Sequence, residues 1–356
     1  MKVRGVITDG FGKSWIDSFS LDSPRRGEVL VEMKASGVCH TDLDHMWWKE
    51  RLIVGHEGAG IVAQVGEDVE NLKVGDSVVL NWAIPCGHCF QCTRGAQNLC
   101  EARPVLPTGR YQYLSGELRP MFGLGTMAEM TLVPYQAVTR IPESMPFAIA
   151  AIMGCGVMTG YGSVVNVAKV EPGASVAVIG CGGVGLSVVQ AARFRKAEKI
   201  IAVDVEPDKL ARAKSFGATH TLLASREDVG LLDAAAQVRS LTLGRGTDYV
   251  FECTAIPELG MSPLAMVRRG GMAVGVSGIE QVIPADMELF EFDKWYINPL
   301  YGACVPERDF PQMVSLYEQG ELDLDALISH RYSLDQAEEA FNGLRKGTNV
   351  KGVIEF

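Results

Sequence analysis

The chain has 356 residues, of which 47% are hydrophobic and 21% charged, a composition typical of globular proteins. A chain of this length exceeds one ordinary hydrophobic core, so we expect two domains. The formal net charge of −10 argues against nucleic acid or an acidic membrane surface as a partner, because both require a basic patch.

The N-terminal residues contain no apolar segment of the kind found in secretion signals, and no stretch approaches 18 uninterrupted apolar residues. We therefore expect a soluble, cytoplasmic protein without a membrane partner.

The first 156 residues predict an all-β unit. Alternating runs such as 28–33 and 77–80 are short and are interrupted by glycine and proline. A different pattern begins near residue 157. From about residue 175, apolar strands alternate with glycine turns and amphipathic helices, which predicts an α/β fold with a parallel sheet. The predicted strands of this sheet are 175–180, 200–204, 220–224, 247–252 and 272–278. After about residue 300 the alternation ends, and the tail predicts a helix within 332–347 and a closing strand at 350–356.

Four of the nine cysteines lie within one short loop, spaced C-x2-C-x2-C-x7-C, at Cys86, Cys89, Cys92 and Cys100. Without a secretion signal, clustered thiols indicate a metal site rather than disulfides. Four thiolates can close tetrahedrally around zinc and leave no open position, which is typical of a structural site. An iron–sulfur cluster is chemically possible as well, and the nucleotide-binding signals below favour zinc.

A second, dispersed group of metal-binding side chains consists of Cys39, His56 and Cys155. Two thiolates and an imidazole make a three-ligand zinc site whose fourth position can take water or substrate. Each residue alone would more often be an ordinary core residue, so the prediction depends on the three occurring together.

The turn after the strand at 175–179 has the pattern G-x-G-x-x-G, formed by Gly180, Gly182 and Gly185 with Gly183 and Val184 between them. The first glycine permits a tight turn, the second lets the backbone approach a pyrophosphate, and the third permits close packing of helix on strand. The helix predicted to follow would present free N–H groups to the phosphates. This turn therefore predicts a dinucleotide site.

The next predicted strand ends at Asp204, nineteen residues after Gly185. A carboxylate there accepts hydrogen bonds from the adenosine ribose hydroxyls and repels a 2′-phosphate, so NAD is favoured over NADP.

Taken in order, these motifs resemble the zinc-containing medium-chain dehydrogenase/reductase family, particularly its alcohol dehydrogenases. The stretch Gly55-His56-Glu57-x2-Gly60-x5-Gly66-x2-Val69 matches the family's zinc signature. The runs GVCHTD, GCGVMTGYGSVVNVAKVEPG, GCGGVG and DALISHRYSLDQAEEAF follow the family's order, so the resemblance covers nearly the whole chain.

The resemblance implies a GroES-like β domain over 1–156 and 301–356, interrupted by a doubly wound, parallel-sheet Rossmann domain over 157–300. The active site would lie in the cleft between them, and the molecule would be a homodimer or homotetramer. The resemblance also implies that Cys39, His56 and Cys155 bind the catalytic zinc, so that each chain would hold two zinc ions and NAD.

Further roles follow from the same resemblance. Glu57 would lie beside the metal, and Asp42 would hold His56 by its other nitrogen. Thr41 would take the proton of the alcohol.

Three more residues fall where the family contacts its cofactor. His40 and Lys351 would bind the pyrophosphate, and Lys209 the adenosine ribose.

The outer end of the proton path departs from the liver-type enzymes, which place a histidine five residues after the first zinc cysteine. Here that position is Asp44, and His45 follows it. Three routes for the proton remain as alternatives. Asp44 could be the outer base, His45 could be the outer base, or the proton could leave through the ribose directly to water.

Aromatic residues fall near the expected substrate pocket. Trp48 lies in the short loop between Cys39 and His56. The resemblance to the liver-type enzymes implies that Trp82, Met121 and Phe122 fall in other segments that face the pocket. Such walls suit a bulky or aromatic alcohol. An ordinary core or interface role for the tryptophans is an equal alternative.

The function implied is reversible hydride transfer between a primary or secondary alcohol, bulky or aromatic, and NAD. A glutathione-dependent formaldehyde dehydrogenase is the alternative enzyme, although the short loop supplies only Lys49 and Arg51 as cations for its substrate. A non-enzymatic descendant of the fold is a third hypothesis, and the intact three-ligand set argues against it.

Overall fold

A computed structural model describes residues 1–114 and 116–356 of the chain. It separates into two units. Unit 1 comprises Met1–Gly156, Val305–Glu318 and Leu324–Phe356, and unit 2 comprises Val157–Cys304 and Gln319–Asp323.

The strands of the described residues are numbered in chain order. They are β1 (Lys2–Thr8), β2 (Ser14–Leu21), β3 (Glu28–Val38), β4 (Leu52–Ile53), β5 (Glu57–Val65), β6 (Ser77–Leu80), β7 (Tyr111–Tyr113), β8 (Gly116–Glu117), β9 (Arg119–Pro120), β10 (Met130–Pro134), β11 (Val138–Arg140), β12 (Ser175–Ile179), β13 (Lys199–Asp204), β14 (His220–Leu223), β15 (Thr247–Glu252), β16 (Val267–Gly275), β17 (Trp295–Ile297), β18 (Ile328–Ser333) and β19 (Lys351–Glu355).

The α-helices are numbered in the same way. They are α1 (His40–His45), α2 (Phe90–Thr93), α3 (Phe147–Ile152), α4 (Met158–Gly162), α5 (Gly183–Phe194), α6 (Pro207–Ser215), α7 (Leu232–Ser240), α8 (Ser262–Met266), α9 (Pro306–Glu318) and α10 (Ala337–Arg345). Two π-helical segments, Met153–Val157 and Ser163–Val167, follow α3 and α4.

Unit 1 is built on two sheets, ordered β8-β7-β2-β1-β4-β9 and β11-β6-β5-β3-β19-β18, with β10 also paired to β3. Strand β3 contributes to two hydrophobic cores, because successive side chains of a strand point to opposite faces of the sheet. Val29 and Val31 pack into one hydrophobic core, whereas Leu30 packs into another. The C-terminal strand β19 pairs antiparallel with β3, with Gly352 opposite Val38. Both ends of the chain therefore contribute to unit 1.

Unit 2 contains a parallel sheet ordered β14-β13-β12-β15-β16-β17. Strands β12 to β16 correspond to the five strands predicted from the sequence, which confirms the doubly wound parallel sheet. The chain adds strands on one side of β12 as far as β14 and then continues on the other side with β15. The strand order therefore reverses between β12 and β15. Strand β17 was not predicted.

The observed unit boundaries differ from the expected domain boundaries at two short segments. Residues 301–304 belong to unit 2, where Asn166 Nδ2 donates to the carbonyl oxygen of Gly302 at 3.2 Å. Residues 319–323 also belong to unit 2, and the backbone N–H of Asp323 donates to Gln190 Oε1 at 2.6 Å.

One helical run, Phe147–Val167, is long and apolar enough to cross a membrane, with 21 residues and a mean hydropathy of 1.6. Because 89% of its apolar window is buried inside the protein, the run resembles the core helix of a soluble protein and is weak evidence for a membrane span.

Candidate active site

The dispersed ligand set begins at the junction of β3 and α1. Cys39 precedes the first turn of α1, and its backbone N–H donates to Asp42 Oδ2 at 2.8 Å. The other oxygen of Asp42 lies 2.9 Å from His56 Nδ1. A carboxylate accepts, so Nδ1 carries a hydrogen, and Nε2 is the nitrogen left for a metal. Asp42 therefore positions both Cys39 and His56.

His56 Nε2 is the first indication that a metal fits here. The atom is buried and has no hydrogen-bond partner among the described residues. Single ligand atoms of Cys39, His56, Glu57 and Cys155 all lie within 4.8 Å of one another. Two thiols, an imidazole nitrogen and a carboxylate oxygen are zinc ligands, and their convergence from three separate chain segments fits a zinc ion. Cys155 lies in a π-helical segment, a local irregularity that is frequent at functional sites.

The electrostatics of this set reflect its burial and close spacing. Hydrogen bonding from Cys155 lowers the pKa of the Cys39 thiol well below its ordinary value, although burial opposes this. The same pairing raises the pKa of Cys155. Burial acts to lower the pKa of His56, but the adjacent Asp42 carboxylate prevails and raises it to about 10. The set thus favours one thiolate beside a protonated imidazole, and metal binding would release that proton.

Glu57 is held by a cation from the other end of the chain. Its Oε1 accepts from Lys351 Nζ at 2.5 Å, and Lys351 also donates to the carbonyl oxygen of Val38 at 3.4 Å. Burial raises the pKa of Glu57, and the ammonium of Lys351 opposes that shift. Lys351, expected from the resemblance at the cofactor pyrophosphate, is therefore buried and committed to Glu57. The structure assigns it to the metal set rather than to a free phosphate contact.

Thr41 lies directly beside the ligand set. Its hydroxyl oxygen lies 3.6 Å from Cys39 Sγ. The carbonyl oxygen of Thr41 lies 2.8 Å from Nδ1 of the buried His45, so Nδ1 carries the hydrogen. Asp44, the other candidate for the outer relay, lies on the exposed side of α1.

Aromatic rings adjoin the ligand set, and we call His45, Trp48, Trp82 and Phe122 the aromatic wall. The Phe122 ring centroid is 4.7 Å from that of His45, 5.2 Å from that of Trp82, 5.5 Å from that of His56 and 6.2 Å from that of Trp48. These are direct ring contacts, so a ligand would lie against the wall and not between its rings.

Phe122 adopts a left-handed backbone conformation, with φ of 51°, which is rare for a bulky residue and recurs at functional sites. Met121 does not join the wall. It is 1% exposed and packs in the core with Val6, Val38 and Met46, so its interpretation as a pocket residue is corrected.

The four-cysteine loop also has the geometry of a metal site. The Sγ atoms of Cys86, Cys89, Cys92 and Cys100 lie within 4.8 Å of one another, with separations of 4.0 Å and 3.9 Å for the pairs Cys86–Cys92 and Cys89–Cys100. Tetrahedral zinc–thiolate bonds of about 2.3 Å require sulfur separations of about 3.8 Å. Backbone N–H groups of Cys92 and Glu101 lower the pKa of Cys89 to about 6, which favours the thiolate. These residues fit a closed zinc site.

The glycine turn of unit 2 has the conformation that its motif predicts. Gly180 has φ of +87°, which favours glycine, and a Cβ atom at Gly185 would lie 1.9 Å from the Gly180 carbonyl oxygen. Nothing lies within 4 Å of the corresponding position at Gly182. Helix α5 begins at Gly183, followed by Val184, and no side chain caps its N-terminus. Its first backbone N–H groups are therefore available to bind an anion such as a phosphate.

Asp204 at the end of β13 is oriented by the backbone. Its Oδ2 accepts from Cys181 N at 2.7 Å and its Oδ1 from Glu206 N at 3.0 Å, so each oxygen retains a lone pair. Burial raises the pKa of Cys181 to about 12. The charge of Asp204 adds to that shift, and the ammonium of Lys209 opposes it. Asp204 and Lys209 therefore both lie near the turn. The roles of Lys209 and of the exposed His40 stay predictions.

Comparison with known proteins identifies the family. Residues 25–143 match the family described as "Alcohol dehydrogenase GroES-like domain", and residues 183–319 match that described as "Zinc-binding dehydrogenase". The chain is 33% identical to an NDMA-dependent alcohol dehydrogenase from Amycolatopsis methanolica, over 99% of each chain. It is 34% identical to an S-(hydroxymethyl)glutathione dehydrogenase from Synechocystis sp., over 100% of each chain.

A solved structure gives the same result. Benzyl alcohol dehydrogenase from Acinetobacter calcoaceticus superposes with a TM-score of 0.90 at 28% identity, covering 100% of this chain and 99% of the other. The chain therefore belongs to the zinc-containing alcohol dehydrogenases of the medium-chain dehydrogenase/reductase family, with a GroES-like and a Rossmann-like domain.

Proposed function

We propose that the protein is an NAD-dependent zinc alcohol dehydrogenase that interconverts an aromatic or otherwise bulky alcohol and its carbonyl product. The observation that carries the proposal is the convergence of Cys39, His56, Glu57 and Cys155, with His56 Nε2 buried and without a hydrogen-bond partner among the described residues.

The residues of unit 1 have distinct roles in this proposal. Cys39, His56 and Cys155 would hold the zinc, which when bound supplies a Lewis acid for the substrate oxygen. Thr41 accepts the proton of the alcohol. His45 is the proposed outer member of the proton path, since its hydrogen bond to the Thr41 carbonyl oxygen holds the imidazole beside Thr41, whereas Asp44 is exposed. Asp42 keeps His56 in the tautomer that binds metal.

NAD is the proposed cofactor because of the ribose site on β13. Asp204 is held by two backbone N–H groups, and its negative charge would repel the 2′-phosphate of NADP. We also propose a second, structural zinc at Cys86, Cys89, Cys92 and Cys100, because their sulfur separations match tetrahedral coordination.

The aromatic wall supports an aromatic substrate. Flat rings gain from offset or edge contacts with other rings, and Trp48 is 48% exposed, so part of the wall is open to a ligand. Similarity to benzyl alcohol dehydrogenase points in the same direction.

Oxidation of S-(hydroxymethyl)glutathione is the second candidate, because relatives with that name match the full length of the chain. Of the two cations in the short loop, Lys49 is exposed, and the guanidinium of Arg51 lies 5.6 Å from the ring centre of Tyr113. Dependence on NDMA is also tested below, since another relative is named for it.

The experiment is a steady-state panel on the purified protein. Benzyl alcohol, ethanol and S-(hydroxymethyl)glutathione are each assayed with NAD, NADP and NDMA. The proposal predicts the highest kcat/KM for benzyl alcohol with NAD. A highest value for S-(hydroxymethyl)glutathione would favour the second candidate, and preference for NADP would refute the assignment of Asp204.

We further propose that the protein is a homo-oligomer whose subunits associate through the outer edge of β17. Trp295 and Ile297 on this strand are 67% and 40% exposed. The strand has a paired neighbour on one side only among the described residues, and unpaired strand edges readily pair with a second copy. A solution mass equal to one chain would contradict this. Cytoplasmic location stays a prediction.

A further inference from the structure

Residues 46–51 connect α1 to β4 and carry Trp48 of the aromatic wall, and we call them the tryptophan loop. This loop lies against residues 9–13, which connect β1 to β2 and which we call the hairpin turn. Two backbone hydrogen bonds join the two segments. They run from Gly12 N to the Met46 carbonyl oxygen at 2.7 Å and from Lys49 N to the Gly10 carbonyl oxygen at 2.8 Å. The position of the tryptophan loop therefore depends on the hairpin turn.

Gly10 brings the backbones of the two segments into direct contact. Its φ is +78°, and a Cβ atom there would lie 2.3 Å from the backbone nitrogen of Glu50 and 2.5 Å from its carbonyl oxygen. Cβ atoms do not approach other heavy atoms more closely than about 3.0 Å. Because the atoms in the way belong to the backbone, any side chain at this position would force the tryptophan loop to move.

The hairpin turn is itself held by two polar side chains at its start. The hydroxyl of the buried Thr8 donates to the Lys13 carbonyl oxygen at 2.9 Å and accepts from Gly10 N at 3.1 Å. Asp9 Oδ1 accepts from the backbone N–H of Phe11 at 2.7 Å and from that of Lys13 at 3.2 Å. Short polar side chains that bond to their own turn in this way fix its conformation. The tryptophan loop thus rests on a well-defined support.

Trp48 is the member of the aromatic wall that this loop supplies. Its ring stacks on that of the buried His45, with the ring centroids 3.4 Å apart, and it meets Phe122 in an edge contact. Trp48 is 48% exposed, so packing against the interior holds it only in part. The path of the tryptophan loop therefore decides whether the indole of Trp48 meets the other two rings.

We propose that the hairpin turn is a remote determinant of substrate selection, which acts by holding Trp48 on the aromatic wall. The inference rests on the proposed oxidation of aromatic alcohols. Gly10 acts through Trp48 and is therefore a positioning residue. If the tryptophan loop moves, the wall opens at its exposed end, and the ring of an aromatic alcohol loses one ring contact. Ethanol has no ring and loses none.

The test measures kcat and KM for benzyl alcohol and for ethanol in the wild type, Gly10→Ala, Trp48→Ala and the double variant. We expect Gly10→Ala to lower the ratio of kcat/KM for benzyl alcohol to that for ethanol by about two- to tenfold, the scale of one aromatic contact. The change should appear in KM for benzyl alcohol, because the lost contact is made in the ground state as well as in the transition state. Trp48→Ala should lower the ratio at least as much. The double variant should lose no more than Trp48→Ala alone, because both changes remove the same contact.

Gly27→Ala is the matched control. Gly27 has φ of +74°, and the one described atom within 4 Å of a Cβ there is a ring carbon of Tyr135 at 3.9 Å, which is ordinary van der Waals contact. The control therefore carries the strain of a left-handed backbone without moving a neighbouring segment, and it should leave the ratio unchanged.

If Gly10→Ala does not fold, Gly12→Ala takes its place. A Cβ atom at Gly12 would lie 2.5 Å from the ring of Trp47, which is exposed and borders Trp48 in the chain, so the ratio should shift in the same direction. An unchanged ratio in a folded turn variant or in Trp48→Ala overturns this inference alone, and so does a double variant in which the two losses multiply. Failure of the wild type to oxidise benzyl alcohol overturns the proposed function with it.

Discussion

Thr41 holds its hydroxyl oxygen 3.6 Å from Sγ of the zinc ligand Cys39, and its carbonyl oxygen positions His45 nearby. We predict that Thr41→Val lowers kcat by at least about 10²-fold, because a positioned acid–base group is worth about 10²–10⁴-fold. Thr41→Ser keeps the hydroxyl and should be mild. A Thr41→Val enzyme within about threefold of the wild type in kcat would remove Thr41 from the mechanism.

The dependence of activity on pH distinguishes His45 from Asp44 as the residue that follows Thr41 in the proton path. His45→Gln and Asp44→Asn are assayed between about pH 6 and 9, a range spanning the ordinary pKa of histidine. Loss of His45 should depress activity most at low pH, where hydroxide cannot replace the missing base. Asp44→Asn should follow the wild-type profile, since Asp44 is exposed. The reverse result would transfer the role to Asp44.

Phe122 is the centre of the aromatic wall and should determine substrate choice. We predict that Phe122→Ala raises KM for benzyl alcohol by about tenfold, because aromatic contacts and buried area worth about 1–2 kcal/mol are lost. KM for ethanol should change little, since ethanol has no ring. Trp47→Ala is the control, because Trp47 is 68% exposed and belongs to no ring pair of the wall. Equal changes for both alcohols would contradict a role in selection.

At this scale, sequence motifs predicted which residues converge but not all of their contacts. The family resemblance of GVCHTD and GHE identified Cys39, Asp42 and His56, which the structure brings together. The Glu57–Lys351 pair spans 294 residues and has no local signal, because only the pairing of β19 with β3 brings Lys351 to Glu57. Met121 and Phe122 are adjacent in sequence, and only the backbone conformation decides which one faces the site.

Among the elements, the four-cysteine loop should behave as a folding unit that depends on its metal. It has little regular structure, with the four-residue helix α2 and one short 3₁₀ turn, so we expect metal ligation to contribute strongly to its order. We predict that Cys92→Ala lowers the melting temperature markedly, because a structural zinc contributes folding free energy directly. Zinc content should fall by one ion per chain. A variant with wild-type stability would show that the loop does not need the metal.

Three strands of unit 2 are joined at their starts by Asp248. Its Oδ2 accepts from the backbone and the hydroxyl of Ser175, both at 2.7 Å, and its Oδ1 accepts from Arg268 at 2.7 Å. Burial acts to raise the pKa of Asp248, but these hydrogen bonds prevail and lower it. A lowered carboxylate pKa stabilises the fold above the unfolded-state value of about 3.9, and that contribution is lost as pH falls through the folded-state pKa.

Asp248→Asn should therefore destabilise the protein at pH 7 by about 1–3 kcal/mol, the scale of hydrogen bonds to a charged group. The difference from the wild type should shrink on acidification below about pH 4. Denaturant unfolding at both pH values measures this, with the exposed Glu198→Gln as control. A difference that grows on acidification would mean that the sign of the shift is wrong.

Element prediction succeeded where hydrophobic patterns were long. Strands β12 to β16 and helix α5 have strong apolar or glycine signals, and the structure contains them. Strand β17 has only three residues, and Trp295 and Ile297 are exposed. The sequence therefore lacks the alternation of buried and exposed residues that would predict this strand. The π-helical segment that carries Cys155 likewise follows from packing that local sequence does not encode.

At the scale of the whole molecule, the order of the motifs along the chain predicted both domains. Each motif occupies a fixed place in one of the two domains of the family that the sequence resembles. The exact residues at which the chain passes from unit 2 back to unit 1 were less predictable. Residues 301–304 and 319–323 have no compositional break, and tertiary contacts, among them the hydrogen bonds to Asn166 and Gln190, place them in unit 2.

The central claim is that two zinc ions occupy two sites of different kind, one structural and one catalytic. Elemental analysis of active wild-type protein, with Cys155→Ala alongside, tests it most directly. We predict two zinc ions per wild-type chain, and one per chain in a folded Cys155→Ala variant that no longer oxidises benzyl alcohol with NAD. Active wild-type protein with one zinc or none, or a Cys155→Ala variant that retains turnover, would contradict the account.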